Sequence, residues 1–386
     1  METIRGGRGR RSVGLYTAAA VGLGSLFLAA CGANSTAPSS NSQDGSGTQP
    51  PAGATEGTIG VILPETATSA RWESFDKPFL VKALAAEGYA AKVENAQGDV
   101  QKFANLADGM IASQVKALII ASPNAKVGAA VQAKAERAGI PTVDYDRLNA
   151  GGRTKYYVSF DNVQVGELQG RALIDALKDK PGAQVIQIEG APDENNAVLF
   201  HRGQMKVLQP LYDKGTLKLV RDRYTPNWDN QLGGKAFEQI LTANNGRVDG
   251  VIAANDGMAG AVITVLKKNR LNGSVPVTGQ DATLSGLQSI LRGDQLMTVF
   301  KAVKLEADAA AKLAVALANG DTGGADAYAK QTTVDPVTKA KIRSVLLKPQ
   351  SVGKNEVKQV VDQGYVTAKQ LCTADLAKTC AELGIS

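Results

Sequence analysis

Short apolar runs alternate with longer stretches whose apolar residues recur every three to four positions, a rhythm that begins at Thr58. Runs at residues 59–63, 91–94, 117–121 and 142–145 read as strands, and 72–86, 100–113 and 126–138 between them carry helical spacing. Strands alternating with helices of this length predict βαβ units and a parallel sheet. The turn-forming stretch 149–154 interrupts the rhythm, and an extended segment follows at 156–160. A long helix at 163–177 then opens a second series, with strands at 184–189, 218–221, 250–254, 275–278 and 297–300. Its helices fall at 195–212, 229–243, 258–268 and 284–292. An Ala-rich helix at 304–318, a Gly-rich turn at 320–324, a strand at 342–347 and a helical 354–363 complete the pattern. The expected fold class is α/β, with two successive doubly wound parallel-sheet halves that share a pattern but no sequence repeat. The last section is too short for a third domain and is expected to return to the two lobes already made.

The first residues follow a different pattern. An Arg-rich start leads into the apolar run 13–28, which ends in Leu28-Ala29-Ala30-Cys31-Gly32. A basic start, a short apolar run and small residues before a cysteine predict a secretory signal over residues 1–30. The run is short for a ~30 Å hydrocarbon core, which disfavours a membrane-spanning anchor. The Cys31 context resembles the lipobox of bacterial lipoproteins, which implies lipidation of Cys31 and a membrane surface as partner. Arg10-Arg11 is compatible with twin-arginine export, although one pair in a basic leader is weak evidence. Residues 31–56, rich in Ser, Gly, Pro, Thr and Asn, read as a flexible tether.

Composition narrows the class. With 386 residues, 44% hydrophobic and 21% charged, the chain can form two ordinary globular domains. Half of the +6 net charge lies in the leader, where four arginines face Glu2. The remainder is too weak and too dispersed to argue for nucleic acid. Only Cys372 and Cys380 remain besides Cys31, close together near the C-terminus. In an exported chain with no histidine nearby, they predict a disulfide in a tail over 371–386 rather than a metal site.

Catalytic patterns are missing. The single histidine, His201, lies in a predicted helix with no nucleophile elbow, and no Gly-rich dinucleotide or phosphate loop follows a strand. No catalytic residue, metal or cofactor is therefore expected, although two acids at a suitable separation can serve a glycosidase without any motif. The residues just past the predicted strand ends, where open α/β sheets bind ligands, are more informative. They are Arg71 and Trp72; Asp146 and Arg147; Glu194, Asn195 and Asn196; Trp228; Asn255 and Asp256; Gln280 and Asp281; and Lys301. Each has a bland alternative: Asn and Asp are favoured helix caps, a lone Trp belongs in a core, and Asp146-Arg147 can be a local ion pair. Taken together, three acids (Asp146, Glu194, Asp281) face three bases (Arg71, Arg147, Lys301) beside amides and indoles. Near-balanced charge with dense donors and acceptors suits a neutral, hydroxyl-rich ligand, and an indole face packs on a sugar ring.

These stretches resemble the periplasmic sugar-binding proteins of ABC transporters, and most closely their D-xylose-binding branch. The resemblance is carried by Ala70-Arg71-Trp72, Val143-Asp144-Tyr145-Asp146-Arg147, Tyr157 through Asn162, Asn195-Asn196-Ala197, Asn255-Asp256, Gly279-Gln280-Asp281-Ala282 and Met297 through Lys301. It covers residues 57–350. It implies two lobes joined by a three-segment hinge, a monomer, a monosaccharide ligand (D-xylose foremost; ribose, galactose or glucose otherwise) and an ABC permease as partner. By matching position, the sugar contacts would be Arg71, Asp146, Arg147, Glu194, Asn196, Trp228, Asn255, Asp281 and Lys301, with Trp72 beside them. Glu194 departs from the pattern, where Asp is expected. The implied lobes are 57–161 plus 300–335 and 162–299 plus 340–370, with crossings near 160–163, 298–300 and 333–341. The location implied is extracytoplasmic.

Overall fold

A computed structural model describes residues 56–386; the expected leader, the Cys31 lipidation site and all but the last residue of the tether lie outside the described residues. The first lobe is built on β1 (Thr58–Leu63), β2 (Ala90–Asn95), β3 (Ala117–Ile120), β4 (Thr142–Tyr145) and β5 (Tyr156–Phe160). The second contains β6 (Ala183–Glu189), β7 (Leu217–Tyr224), β8 (Gly250–Ala253) and β9 (Thr298–Phe300). Near the C-terminus follow β10 (Gln331–Val334), β11 (Lys341–Leu347) and β12 (Gln350–Val352).

The first sheet has the order β10-β11-β5-β4-β3-β1-β2, parallel except for the β10–β11 hairpin. Every residue of β3 and β5 is buried, which is why these strands read as unbroken apolar runs. One face packs Ile59, Val61, Val143 and Val158 against the Ala-rich helix Val303–Ala318. The other packs Ile62, Leu118 and Ile120 against Phe103 and Val131. The second sheet runs β7-β6-β8, and single bridges at Val277 and Gln280 continue it toward the β9–β12 pair. The expected strand at 275–278 is thus reduced to isolated bridges, since Pro276 offers no N–H to a ladder.

Two boundaries expected from the sequence are corrected by pairing. β11 adds to β5 in the first sheet, so residues 341–347 belong to the first lobe and not to the second. The third crossing accordingly falls at 348–349, between β11 and β12, rather than at 333–341. Residues 320–324, read as a turn, enter a short helix, Thr322–Tyr328. The second crossing follows β9 at Lys301 and Ala302, and the first lies at Asp161, between β5 and the helix Asn162–Leu177. Cys372 and Cys380 form a disulfide with Cα atoms 6.0 Å apart. The tail around it shares a core with both lobes: Tyr365 packs edge-on against Phe75 and Phe79 on one side and Phe300 on the other.

Candidate functional site: a polar cleft between the lobes

All ten residues expected at the site line one cleft between the carboxyl ends of the two sheets. The cleft also takes in Thr68, Ser69, Phe200 and Gln280. Thr68 and Ser69 sit in the loop after β1, which carries no motif. Phe200 is one helical turn beyond Asn196 in the helix Asn195–Asp213, where it reads as core.

On the first lobe the centre is Asp146. Its backbone has φ 58°, a left-handed conformation uncommon for a non-glycine residue. The Asp146 carbonyl accepts from Tyr157 Oη, Ser159 Oγ and Asn196 Nδ2, each at 2.9 Å, and these contacts hold the turn. Its carboxylate accepts from Arg71 Nη1 at 2.9 Å and Lys301 Nζ at 3.2 Å. Burial favours the neutral acid, but the charges of Arg71, Lys301 and Arg147 outweigh it and hold Asp146 well below the usual carboxylate range. The Arg71 guanidinium lies 4.5 Å from the Trp72 ring centroid and that of Arg147 lies 5.3 Å away, both within cation–π reach of the indole.

On the second lobe the groups sit on turns and helix N-termini. Trp228 follows Asn227 in a left-handed pair, with φ 56° and 54°. Its ring lies so close to Gly190 that a Cβ there would fall 2.3 Å from it, which requires glycine at that position. Glu194 and Asn255 are helix N-caps, accepting from Asn196 N and Met258 N at 2.9 Å. The capping alternative therefore holds for both, and both also line the cleft. Burial raises the Glu194 carboxyl above its ordinary value against the pull of Arg147. Asp281 has φ 97° in a loop fixed from beneath by Asp256. The buried Asp256 carboxylate accepts from Thr283 N, Gln295 Nε2 and Thr298 Oγ1, each at 2.8 Å. Burial, reinforced by Asp281, pushes its carboxyl up to about 7. Asp256 supports the loop and does not line the cleft.

The lobes meet across the cleft. Ser69 Oγ donates to Asp281 Oδ2 at 2.9 Å, and Asn230 Nδ2 donates to the Thr68 carbonyl at 3.2 Å. With Asn196 reaching Asp146, these contacts make the arrangement a closed one. Four buried polar atoms of the lining have no protein hydrogen-bond partner: Trp72 Nε1, Trp228 Nε1, Gln280 Oε1 and Asp281 Oδ1. Buried polar groups are nearly always paired, so two donors and two acceptors converging on one cleft mark the complement of a polar ligand. Three acids and three bases line the cleft, and two further carboxyl groups outside the lining, Asp76 and Glu306, lie directly behind Arg71. Among the described residues no group of His, Cys, Asp and Glu is arranged to hold a metal ion. His201 stands apart from the cleft, 2.6 Å from Asp222.

The profile of the periplasmic binding protein domain matches residues 59–322. The chain belongs to the periplasmic binding protein family. Over 302 residues it is 38% identical to the D-xylose-binding periplasmic protein of Escherichia coli, covering 78% of this chain and 88% of that protein. It is 35% identical over 341 residues to the multiple sugar-binding periplasmic protein SbpA of Azospirillum brasilense, covering 84% and 94%. Among solved structures it is similar to an ABC transporter solute-binding protein from Clostridium phytofermentans with bound β-D-glucose. That match has a TM-score of 0.74 and 28% identity, over 81% of this chain and 99% of the other. The family's two-lobe, type I architecture is the one described above.

Proposed function

We propose that the protein is the extracytoplasmic sugar-binding component of an ABC importer and that it takes one monosaccharide, D-xylose foremost, into the cleft between its lobes. The observation that carries this reading is the set of unpaired buried groups on Trp72, Trp228, Gln280 and Asp281 beside the Asp146 charge network. A sugar's hydroxyls both donate and accept, so one small neutral molecule can answer all four. The two indoles offer apolar faces to its C–H surface while Arg71, Arg147, Asn196, Asn255 and Lys301 address its oxygens. The relatives named for D-xylose and for multiple sugars support the substrate class.

Contacts from both walls make the affinity of the closed form exceed that of the open form, and that difference drives closure. A membrane permease would read the closed lobe edges, with the lipid on Cys31 keeping the monomer at the membrane. The event is binding and release of unmodified sugar.

A second reading, broader aldose specificity, is favoured by Glu194. Its extra methylene, where the D-xylose branch is expected to carry Asp, alters one hydroxyl contact. A thermal-shift panel of pentoses and hexoses separates the two. The largest shift with D-xylose supports the first; equal shifts with D-glucose and D-xylose support the second. No shift with any sugar overturns both.

A further inference from the structure

Arg71 is buried, and its guanidinium carries five N–H donors in one plane. Nε donates to Asp76 Oδ2 at 2.9 Å, and Nη2 donates to Asp76 Oδ1 at 2.6 Å and to Glu306 Oε2 at 3.0 Å. Nη1 donates to Asp146 Oδ2 at 2.9 Å. Four of the five hydrogens are thereby engaged, and the one left is on Nη1, beside Asp146. Neither Asp76 nor Glu306 lines the cleft.

Asp76 is in reach only because of an irregular turn. Five residues along an α-helix is about 140° away from the starting face. The segment Trp72–Asp76 is instead a π-helical turn, with Lys77 N–H bonded to the Trp72 carbonyl. Closing i to i+5, it returns Asp76 to the face that carries Arg71, and π turns of this kind recur at functional sites. Tyr145 Oη, at the end of β4, donates to Asp76 Oδ1 at 2.8 Å and fixes the carboxylate from the opposite side. Glu306 arrives from the first turn of the helix Val303–Ala318, just past the second crossing.

We infer that Asp76 and Glu306 are positioning residues for the sugar: through the π turn they lock the Arg71 guanidinium so that a single Nη1 hydrogen faces the ligand. The inference rests on the sugar-binding reading of the cleft. Glu306 serves Arg71 as a hydrogen-bond acceptor at 3.0 Å, and burial, with Asp146 close by, raises its carboxyl well above its ordinary value. Gln can fill that role and Ala cannot.

The test compares Glu306→Gln with Glu306→Ala in the full chain, by D-xylose Kd and by Trp72 emission in the sugar-free protein, the latter in a Trp228→Phe background. Glu306→Gln is expected to keep Kd within about threefold and to leave emission unchanged. Glu306→Ala is expected to weaken binding by about tenfold or more and to shift emission as the guanidinium leaves the ring. Asp76→Ala, which removes the acceptors of Nε and of one Nη2 hydrogen, is expected to reproduce the Glu306→Ala result. Wild-type Kd and emission in Glu306→Ala overturn the positioning role of Glu306, and the same result in Asp76→Ala overturns that of Asp76. A wild-type protein that binds no monosaccharide would sink the sugar reading, while the emission comparison still decides whether Glu306 holds Arg71.

Discussion

The two walls of the cleft differ in how far their polar groups are already paired. On the first lobe, Arg71, Asp146 and Lys301 are locked into one another, and Arg71 is fixed further by Asp76 and Glu306. On the second lobe, Trp228, Gln280 and Asp281 each leave a buried polar atom without a protein hydrogen-bond partner, against one atom of the lining, Trp72 Nε1, on the first. The first wall is a rigid charged template whose removal threatens the fold. The second is a set of waiting partners whose removal should threaten binding alone.

The sharpest way to break the comparison is to delete one anchor from each wall. Arg71→Ala strands buried carboxylates and is expected to cost about 3–5 kcal/mol of stability, read by chemical denaturation, along with all sugar binding. Asp281→Ala is expected to weaken binding on the order of 100-fold while moving stability by about 1 kcal/mol or less, because Oδ2 meets only Ser69 and Lys301, 3.6 Å from Oδ1, keeps Asp146 as its partner. Equal stability losses in the two variants would erase the distinction.

Buried carboxyls below the two walls refine it. Asp144, two residues before Asp146, accepts from Gln132 Nε2, Asn149 N and Asn149 Nδ2. Glu189, just before Gly190, accepts only from Gln187 Nε2 at 3.1 Å and has one oxygen unpaired. Burial pushes both up to about 7, with Asp222 adding to the effect on Glu189. Above an unfolded value of 4.5 the denatured chain releases the Glu189 proton while the native carboxyl keeps it to about 7, so stability falls as pH rises through that window. Glu189→Gln is expected to remove roughly 3 kcal/mol of that fall, seen as a flatter profile of melting temperature against pH. Asp144→Asn should instead be costly throughout, since its new amide group meets three donors.

Two smaller changes probe single contacts. Trp228→Phe keeps an aromatic face and drops the unpaired N–H, and should weaken D-xylose binding about tenfold in calorimetry. Ser69→Ala removes a cross-cleft hydrogen bond worth about 1 kcal/mol, so binding should weaken about fivefold with no change in which sugar is preferred.

What could be read from the chain follows the same physical divide. Buried parallel strands are continuous apolar runs, so their carboxyl ends, and with them Asp146, Asn255 and Asp281, were legible as neighbours of a cleft. An apolar run does not say which sheet it joins, so residues 341–347 read as part of the second lobe although they pair with β5 in the first. Asp76 and Glu306 were invisible for another reason. A carboxylate on a helix reads as a solvated face; the π turn that aims Asp76 has no local signature, and the Ala-rich pattern of the helix at 304–318 does not say that Glu306 faces inward. Asp256, named only as a strand-end residue, proved to be the loop's support because Gly279 and Gly286 leave room for its carboxylate, within 2.3 Å of where their Cβ atoms would lie.

The central claim is that this cleft binds one monosaccharide, and isothermal titration of the wild-type protein with D-xylose tests it most directly. Saturable heat at one site per chain is expected, with the sugar recovered unchanged. No heat with D-xylose or with any other pentose or hexose, or recovery of a converted product, would contradict it.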